Sequence, residues 1–522
     1  MAQVISRRDV VSLMASDVLH AVLDVRERGE FNECQIHNAT SLPRGEIEFR
    51  IATLVPNRQT SIVLYDDGGG RASAAARTLA DFGYADIYTL QGGLSAWKSG
   101  GLATVSGVNV PSKAFGERVH KDRHVPEIAP EELKALQGSS TDLLILDVRT
   151  PEEYGRFCIP GGINVPGGDL ILWADALMKK PGATVVVNCA GRTRSIMGTA
   201  TLRRLGLTNV RALKNGTMGW VLAGLGLESN PKREAPAVPN ESREKARSLA
   251  LQVAKESGIR WISARELMRV GRTPGREVAY LIDVRSAAEY DSGHIPGSMH
   301  IPGGQAVQRM DDFIAVRNGR IIFISNESAR AVMTAYWYRQ MGFRDVSVLR
   351  DGLRAWVETG ESLARGAWRP VSIGVEAAKS KAKFVQPHDL ERALPSSSTL
   401  VLDVGTSLDF EAAHVPGAKW ISRSWIDIKL PEQFPDRGES IVVTCPDGQH
   451  SVLAARALTE IGYRNVAVLN GGVRAWTAAG FATGKGLDGC LVEPNDVVLS
   501  PSIKGDKEAM RRYLEWEMKL KG

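Results

Sequence analysis

Cysteine thiols are the side chains of this sequence best able to carry covalent chemistry, and Cys189 lies in a distinctive stretch. Residues 185–195 read VVVNCAGRTRS. The β-branched residues indicate a strand, the small residues a turn, and the run that follows a helix. A thiol at such a turn faces loop N–H groups and the positive end of a helix dipole, and Arg192 and Arg194 add charge. We therefore predict that the loop favours the thiolate and that Cys189 is a nucleophile or sulfur carrier, a buried structural cysteine being the weaker alternative.

The cysteines as a set indicate a reducing environment. They are few, odd in number and widely spaced, and they are Cys34, Cys158, Cys189, Cys445 and Cys490. Such a set, without a CxxC pair, argues against a disulfide framework and against a structural zinc site. We expect a cytoplasmic protein that needs no metal and no cofactor.

Length and composition describe a soluble protein of several domains. The 522 residues are 43% hydrophobic and 24% charged, which predicts three to five domains. The net charge of +6 is small for this length and no basic stripe stands out, so we expect no nucleic-acid partner. No apolar run is long enough to span a membrane. The opening SRRDVVSLM resembles a twin-arginine signal, but Asp17 and Asp24 interrupt the part that should be apolar.

An internal repeat organises the chain. A strand ending in Asp-Val occurs four times, as VLDVRERGEF, ILDVRTPEEY, LIDVRSAAEY and VLDVGTSLDF. A tryptophan follows a Gly-rich turn in each copy, always 73 residues after the aspartate. The pairs are Asp24 and Trp97, Asp147 and Trp220, Asp283 and Trp356, and Asp403 and Trp476. Units that keep their spacing this closely share one fold.

Each unit has the same internal pattern. A helix precedes the Asp-Val strand, and a polar loop, a second apolar strand such as SIVLY or TVVVN, an Ala-rich helix, a short strand and the tryptophan helix follow. Short apolar strands that alternate with helices predict an α/β fold with a parallel sheet covered on both faces. We place the domains at 1–104, 126–228, 258–361 and 383–484, followed by a tail at 485–522. The tail is expected to end in an amphipathic helix, Lys507 to Lys521, that docks on a neighbouring domain or forms a subunit contact.

These motifs resemble those of the rhodanese family of sulfurtransferases. The resemblance rests on the DVR strand, the HIPG loop, the Cys-x-x-Gly-x-Arg-Ser loop and the GGxxAW ending, and it covers nearly the whole chain in four tandem copies. It implies a central parallel sheet of about five strands flanked by helices in each domain. It also implies transfer of a sulfane sulfur through a cysteine persulfide.

The resemblance can be carried over position by position, because the active-loop position lies 42 residues after each aspartate. The residue there is Asp66 in domain 1, Cys189 in domain 2, Ser325 in domain 3 and Cys445 in domain 4. An aspartate cannot carry a sulfane sulfur, and an unactivated serine cannot replace a thiolate. We therefore expect domains 1 and 3 to be inactive, domain 2 to be catalytic and Cys445 to have at most a secondary role.

The resemblance also assigns roles within the second copy. Cys189 is the catalytic residue, and the substrate-binding residues are Ala190, Gly191, Arg192, Thr193, Arg194 and Ser195. The two arginines have two candidate tasks, to attract an anionic donor and to lower the pKa of the thiol, and Arg194 is the stronger candidate. Cys158 stands where two other copies have His294 and His414. It is either a packed structural thiol, which we favour, or a residue that resolves the persulfide.

Several functions agree with these motifs. The favoured one is transfer of sulfur from thiosulfate to a thiol or to cyanide. A relay that delivers persulfide sulfur to a partner protein is the main alternative. A 3-mercaptopyruvate enzyme is less favoured, because such enzymes have CGxGVT at the loop. A phosphatase is less favoured because phosphatases of this fold have one more residue between Cys and Arg, which makes a ring sized for phosphate.

Overall fold

The computed structural model describes residues 2–139, 142–272, 279–326, 328–395 and 399–520. The chain divides into two compact units, Met1–Val108 with Pro370–Val498 and Asn109–Arg369 with Leu499–Gly522. The first unit therefore holds domains 1 and 4, and the second holds domains 2 and 3 with the end of the tail. The first and last copies of the repeat thus belong to one compact unit.

Strands and helices alternate through domain 1, as the sequence pattern predicts. The elements are β1 (Gln3–Ile5), α1 (Arg7–Ala15), β2 (His20–Asp24), α2 (Arg28–Glu33), β3 (Gln35–Ile36), β4 (Thr40–Ser41), a 3-10 turn (Arg44–Glu46), α3 (Ile47–Leu54), β5 (Ser61–Tyr65), α4 (Arg71–Asp81), β6 (Ile87–Leu90), α5 (Gly93–Ser99) and β7 (Thr104–Val105). A helix, α6 (Val110–Asp122), leads from domain 1 to domain 2.

Domain 2 repeats the order. Its elements are β8 (Glu127–Ile128), α7 (Pro130–Gln137), β9 (Leu143–Asp147), α8 (Pro151–Arg156), β10 (Phe157–Cys158), β11 (Ile163–Asn164), a 3-10 turn (Gly167–Asp169), α9 (Leu170–Met178), β12 (Thr184–Asn188), α10 (Thr193–Arg204), β13 (Val210–Leu213), α11 (Gly216–Leu222) and β14 (Glu228–Ser229). A long helix, α12 (Asn240–Glu256), follows as the residue pattern predicts.

Domain 3 has the same succession. Its elements are β15 (Arg260–Ile262), α13 (Ala264–Arg272), β16 (Ala279–Asp283), α14 (Ala287–Ser292), β17 (Met299–His300), α15 (Gly303–Gln308), α16 (Met310–Phe313), β18 (Arg320–Ile324), α17 (Ala329–Gln340), β19 (Val346–Leu349) and α18 (Gly352–Val357). The helix α19 (Val375–Lys381) lies between domains 3 and 4.

Domain 4 and the tail complete the chain. Their elements are β20 (Phe384–Val385), α20 (Pro387–Ala393), β21 (Leu400–Asp403), α21 (Ser407–Ala412), β22 (Lys419–Trp420), α22 (Ile426–Gln433), β23 (Ser440–Thr444), α23 (Gln449–Glu460), β24 (Asn465–Leu469), α24 (Gly472–Ala478), α25 (Pro501–Lys504) and α26 (Lys507–Lys519). In the part of the chain that these elements represent, no helix is both long and apolar enough to cross a membrane.

Each domain contains a five-stranded sheet in which every pairing is parallel, so the predicted α/β architecture is confirmed. The strand orders are β1-β6-β5-β2-β4, β8-β13-β12-β9-β11, β15-β19-β18-β16-β17 and β20-β24-β23-β21-β22. The topology is the same in all four. The central strands are apolar on both faces because helices cover both sides, and β12 is buried over four of its five residues.

Two repeated motifs acquire a physical role in this fold. In the Asp-Val-Arg strand of domain 2, Arg149 donates from Nε and Nη2 to the Asp147 carboxylate at 2.9 and 2.7 Å and from Nη2 to the Phe157 carbonyl at 2.6 Å. This buried pair fixes the loop after the strand. Domain 4 lacks the arginine, and burial raises the pKa of Asp403 to about 7. The Trp220 indole donates to the Gly226 carbonyl at 2.9 Å, which anchors the last helix.

The two domains of each unit meet through equivalent elements. In the first unit Arg44 forms an ion pair with Asp427, and Arg423 pairs with Glu48 at 2.9 Å. In the second unit the same surfaces are glycine-rich, and a Cβ on Gly168 would lie 3.1 Å from the Gly303 Cα. In the second unit close backbone packing is thus combined with an ion pair between Arg330 and Asp169 at 3.2 Å.

Candidate functional site

Cys189 lies at the carboxyl end of the central strand of its sheet. It follows β12, which lies between β9 and β13, and it precedes α10, whose first residue is Thr193. The carboxyl edge of a parallel sheet and the amino end of a helix therefore meet at the thiol. The Cys189 Sγ is 3.4 Å from the Ser195 Oγ, which donates to the Arg192 carbonyl at 2.8 Å. The thiol is 2% exposed.

The loop backbone is held by the turn before the tryptophan helix. The N–H groups of Thr217 and Met218 donate to the carbonyls of Cys189 and Ala190 at 2.8 and 3.0 Å. Gly216 has a φ of +56°, and a Cβ there would collide with the Cys189 carbonyl. The Gly-rich turn of the repeat is thus required so that the last helix can approach the active-loop backbone closely.

Arg194 forms a two-point ion pair with Glu153. The guanidinium donates to the carboxylate oxygens at 2.5 and 2.7 Å, and the Arg194 side chain is 9% exposed. The same pair joins Arg71 to Glu30 in domain 1, at 2.6 Å. In domain 3 it joins Arg330 to Glu289 at 2.7 Å. Because the pair occurs in copies without a cysteine, it supports the loop architecture as well as placing a positive charge near the loop.

Arg192 turns away from the thiol. Its guanidinium donates to both Glu117 carboxylate oxygens at 2.6 and 3.0 Å, to Glu127 at 3.2 Å and to the Asn215 amide oxygen at 3.1 Å. The side chain is 3% exposed. Its charge is neutralised on the side of the loop that faces α6. The sequence could not indicate this, because Glu117 lies in the segment between domains 1 and 2, 75 residues before Arg192.

The expectation that the loop favours the thiolate is wrong for this conformation. Burial raises the pKa of the Cys189 thiol above its usual value, while the Arg194 charge and hydrogen bonds with Ser195 lower it by less. The negative charge of Glu517 raises it further. Burial thus opposes ionisation of the Cys189 thiol in this structure.

The tail helix α26 covers the loop, which the sequence did not indicate beyond a docking helix. Thr193 Oγ1 donates to Glu517 Oε1 at 2.7 Å, and Glu517 is 1% exposed. Met510 and Leu514 pack against Met218 beside the loop. Met510, Leu514 and Glu517 share one helix face at spacings of four and three residues. An acidic residue on an otherwise apolar face was the sequence signal that could have found this contact.

The loops of domains 1 and 3 show which groups the backbone N–H donors of this loop can bind. In domain 1 the Asp66 carboxylate accepts hydrogen bonds from the N–H groups of Gly68 and Ala72 at 2.8 and 2.9 Å. In domain 3 the Ser325 hydroxyl accepts from the Ala331 N–H at 3.3 Å. In domain 1 the backbone N–H groups of the loop thus bind a carboxylate at the position that Cys189 occupies in domain 2.

Cys445 is buried in its own loop, and the charges around it differ from those at Cys189. Its sulfur accepts a hydrogen bond from the Gly448 N–H at 3.2 Å and lies 3.9 Å from an Asp447 oxygen. Burial raises the pKa of the Cys445 thiol. His450 stands where the other copies have arginine, and burial lowers its pKa to about 4, so it carries no charge at neutral pH.

Cys158 is fully buried at the rim of domain 2. Arg233 donates from Nη2 to its sulfur at 3.5 Å, and burial raises the pKa of the thiol. This environment is that of a packed thiol in contact with a cation. Among the described residues, no group of His, Cys, Asp and Glu side chains is arranged to hold a metal ion.

The fold and the site define a tandem α/β protein with a cysteine at the carboxyl end of a central strand in two of its four copies. The model of the rhodanese-like domain matches residues 6–100, 129–223, 265–359 and 386–479, and the chain belongs to the rhodanese-like family.

A solved structure is similar over nearly the full length. It is the crystal structure of a thiosulfate sulfurtransferase from Pseudomonas aeruginosa, with 37% identity and a TM-score of 0.91, and the match covers 99% of this chain and 97% of that chain.

Curated relatives match single domains. The chain is 34% identical over 76 residues to the "Putative sulfur carrier protein YrkF" of Bacillus subtilis (strain 168), a match that covers 15% of this chain and 40% of that protein. It is 30% identical over 86 residues to the thiosulfate sulfurtransferase GlpE of Pseudoalteromonas translucida (strain TAC 125), covering 16% of this chain and 80% of that protein. The chain thus spans less than half the length of YrkF.

Proposed function

We propose that this protein is a sulfurtransferase that moves a sulfane sulfur from thiosulfate to a thiol or cyanide through a persulfide on Cys189. The observation that carries the proposal is the placement of Cys189. Its sulfur lies at the end of β12 and the start of α10, in a loop whose equivalent in domain 1 binds a carboxylate through backbone N–H groups. A cradle of this kind stabilises the negative charge of a persulfide.

The chemistry proceeds in two displacements. The Cys189 thiol loses its proton to solvent, the thiolate attacks the outer sulfur of thiosulfate, the sulfur–sulfur bond of the donor breaks, and sulfite leaves with the bonding electrons. The persulfide then loses its outer sulfur to the acceptor, which supplies the new electron pair, and the Cys189 thiolate is regenerated. Loop N–H groups hold the charge in both states, and Arg194 contributes the positive charge that acts on the sulfur.

The loops of domains 1 and 3 do not have this chemistry available. In domain 1 the Asp66 carboxylate accepts the hydrogen bonds of the loop N–H groups, and in domain 3 Ser325 has a hydroxyl in place of a thiol. We assign domains 1 and 3 to architecture. Cys445 keeps the sulfur position but has Asp447 beside it and no arginine, so its role is secondary.

A persulfide relay to a protein acceptor is the second candidate. The similarity to YrkF and the contact of α26 with the residues beside the Cys189 loop favour it, since a partner protein has enough surface to bind at a covering helix. The donor chemistry at Cys189 is the same in both cases, and only the second displacement differs.

Intact-mass analysis tests the proposal. After incubation with thiosulfate and removal of excess reagent, the protein should gain the mass of one sulfur atom, mapped by peptide to Cys189. The Cys445→Ser variant serves as the matched control and should gain the same mass. An unchanged mass at Cys189 with both thiosulfate and an organic persulfide would refute sulfur transfer at this loop.

A further inference from the structure

The loop of domain 2 is covered, whereas the equivalent loops of domains 1 and 4 are open. Gly191, Arg192 and Thr193 are buried and Ala190 is partly buried. In domain 1 the four residues 67–70 that follow Asp66 are all exposed, and in domain 4 Asp447 and Gln449 are exposed. The four copies share one fold, so something outside the repeat covers the loop of domain 2.

The cover consists of α26 and α6. The Lys113 ammonium of α6 lies 5.0 Å from the Tyr513 ring centroid and 4.9 Å from that of Trp516. Beneath these rings a Cβ on Gly191 would lie 3.6 Å from Tyr513. The two helices therefore enclose the open side of the loop, where an incoming sulfur donor would have to approach.

Glu517 is the buried acidic residue that α26 contributes to this cover. Its Oε1 accepts the Thr193 hydroxyl hydrogen bond at 2.7 Å. Its Oε2 is buried without a hydrogen-bond partner among the described residues, and a Cβ on Gly191 would lie 3.4 Å from it. A polar oxygen left unpaired in the interior destabilises the fold, so its retention at the mouth of the loop calls for a function.

Charges around Glu517 do not remove its influence on the thiol. Burial raises the pKa of Glu517 above its usual value, the Lys113 charge and the Thr193 hydrogen bond oppose this, and the charges of Glu117 and Arg192 act in opposite directions. The Arg192 charge is already engaged by Glu117 and Glu127. Burial is the main cause of the raised pKa of Cys189 and of Tyr513, and the negative charge of Glu517 adds to the shift of both groups.

We propose that Glu517 is a specificity-determining residue of the Cys189 site, whose carboxylate disfavours anionic sulfur donors such as thiosulfate relative to donors of lower negative charge. An approaching anion meets a fixed negative charge in a partly desolvated space, where like charges repel more strongly than in water. The inference rests on sulfur transfer at Cys189. It deepens that function by naming the favoured class of donor as one that carries less charge beside the transferable sulfur.

Alkylation of Cys189 by two reagents that differ in charge tests this directly. Iodoacetate and iodoacetamide form the same carbon–sulfur bond with loss of iodide, so their rate ratio reports the charge selectivity of the site. The rates are measured at pH 8.5 by peptide-resolved mass spectrometry. Glu517→Gln keeps the oxygen that accepts from Thr193 and removes the charge, so the iodoacetate to iodoacetamide rate ratio should rise about tenfold.

Two matched variants accompany the test. Glu515 lies on the exposed face of the same helix, so Glu515→Gln should leave the ratio unchanged. Glu517→Asp keeps the charge and should retain a ratio near that of the wild-type protein. A ratio that stays within twofold in Glu517→Gln, or equal acceleration with both reagents, would overturn the proposal, because the helix would then act only as a steric cover. If Glu517→Gln does not fold, a raised ratio in Glu517→Asp would also overturn it.

The two proposals fail in different ways. Alkylation needs no sulfur transfer, so a shifted ratio without sulfur loading on Cys189 would refute the sulfurtransferase and leave the charge selectivity standing. Sulfur loading of Cys189 in the wild-type protein, together with an unchanged iodoacetate to iodoacetamide rate ratio in Glu517→Gln, would support the sulfurtransferase and refute the charge selectivity. Initial loading from thiosulfate should rise about tenfold in Glu517→Gln when both hold.

Discussion

The Arg194 guanidinium and the Glu153 carboxylate form a two-point ion pair at 2.5 and 2.7 Å that ties the first turn of α10 to α8. Glu153 also closes a capping box with Thr150 at the start of α8. One carboxylate thus stabilises a helix start and orients the arginine whose charge acts on Cys189. The pair connects the architecture shared by the copies with the chemistry proposed for one of them.

Replacement of the loop cysteine gives the first prediction. Cys189→Ser should remove nearly all thiosulfate:cyanide sulfurtransferase activity, since a hydroxyl cannot form the persulfide. Serine is close in size to cysteine, so the circular dichroism spectrum and the thermal transition should stay close to those of the wild-type protein. The assay measures thiocyanate formation, and activity near the wild-type level would assign the chemistry to another residue.

The two loop arginines should behave differently. Arg194→Ala should raise the pKa of the Cys189 thiol, because the positive charge that opposes the effect of burial is lost. Arg192→Ala should leave that pKa almost unchanged, since the Arg192 charge is held by Glu117 and Glu127. The pH dependence of iodoacetamide alkylation measures both. A higher midpoint for Arg194→Ala alone is expected, and equal shifts would contradict the geometry.

The Glu153 pair predicts a pH-dependent stability. The Arg194 charge and hydrogen bonds outweigh burial and lower the pKa of Glu153 to about 2. A carboxyl whose folded pKa lies below its unfolded value of about 4.5 stabilises the fold above that value, and this stabilisation is lost as the pH falls from about 4.5 to 2. The Glu153 side chain is 32% exposed, so we expect only about 1–2 kcal/mol after solvent screening.

Glu289 provides the control for that experiment. Its pKa is likewise lowered to about 2 by Arg330, which again outweighs burial, but its loop carries serine. Glu153→Gln and Glu289→Gln should each reduce the loss of stability between pH 5 and pH 3, measured by thermal unfolding. Only Glu153→Gln should change the alkylation rate of Cys189. A change at Cys189 in both variants would point to a general effect of the fold.

The turn before the tryptophan helix gives a stability prediction with its own control. Gly216→Ala would force a Cβ against the Cys189 carbonyl at a φ of +56°, and we expect a loss of more than about 3 kcal/mol. Gly224 has a φ of +78° but open space around it, so Gly224→Ala should cost only about 1 kcal/mol. Denaturant unfolding of the two variants compares them. Equal losses of unfolding free energy in the two variants would show that the positive φ causes the destabilisation and that the contact with the Cys189 carbonyl does not.

Cys445 should accept sulfur from thiosulfate at least tenfold more slowly than Cys189. Asp447 lies 3.9 Å from the Cys445 sulfur, Pro446 offers no N–H, and His450 is neutral because burial lowers its pKa to about 4. A tenfold difference corresponds to about 1.4 kcal/mol. Peptide-resolved persulfide mapping over a time course measures both sites. Equal initial loading would contradict the assignment of one principal site.

The sequence by itself determined the repeat, the α/β class and the position of Cys189. These features depend on patterns that are visible in the sequence itself. Apolar runs predict central strands, Gly-rich segments predict the turns between elements, and the constant spacing of 73 residues shows that the copies share one fold. The start of α1 is an example: Ser6 has an acidic residue, Asp9, three positions later, which is a pattern typical of a helix start, and the Ser6 side chain accepts a hydrogen bond from the Asp9 N–H.

Only the tertiary structure decided where the charges act. Arg192 and Arg194 are two residues apart, yet one pairs with Glu117, 75 residues before it, and the other with Glu153, 41 residues before it. Glu517 reaches the loop from 324 residues beyond Thr193. The direction of the Cys189 pKa shift follows from these contacts and from burial. Burial and long-range pairing depend on how distant segments pack, and no local pattern of the loop contains that information.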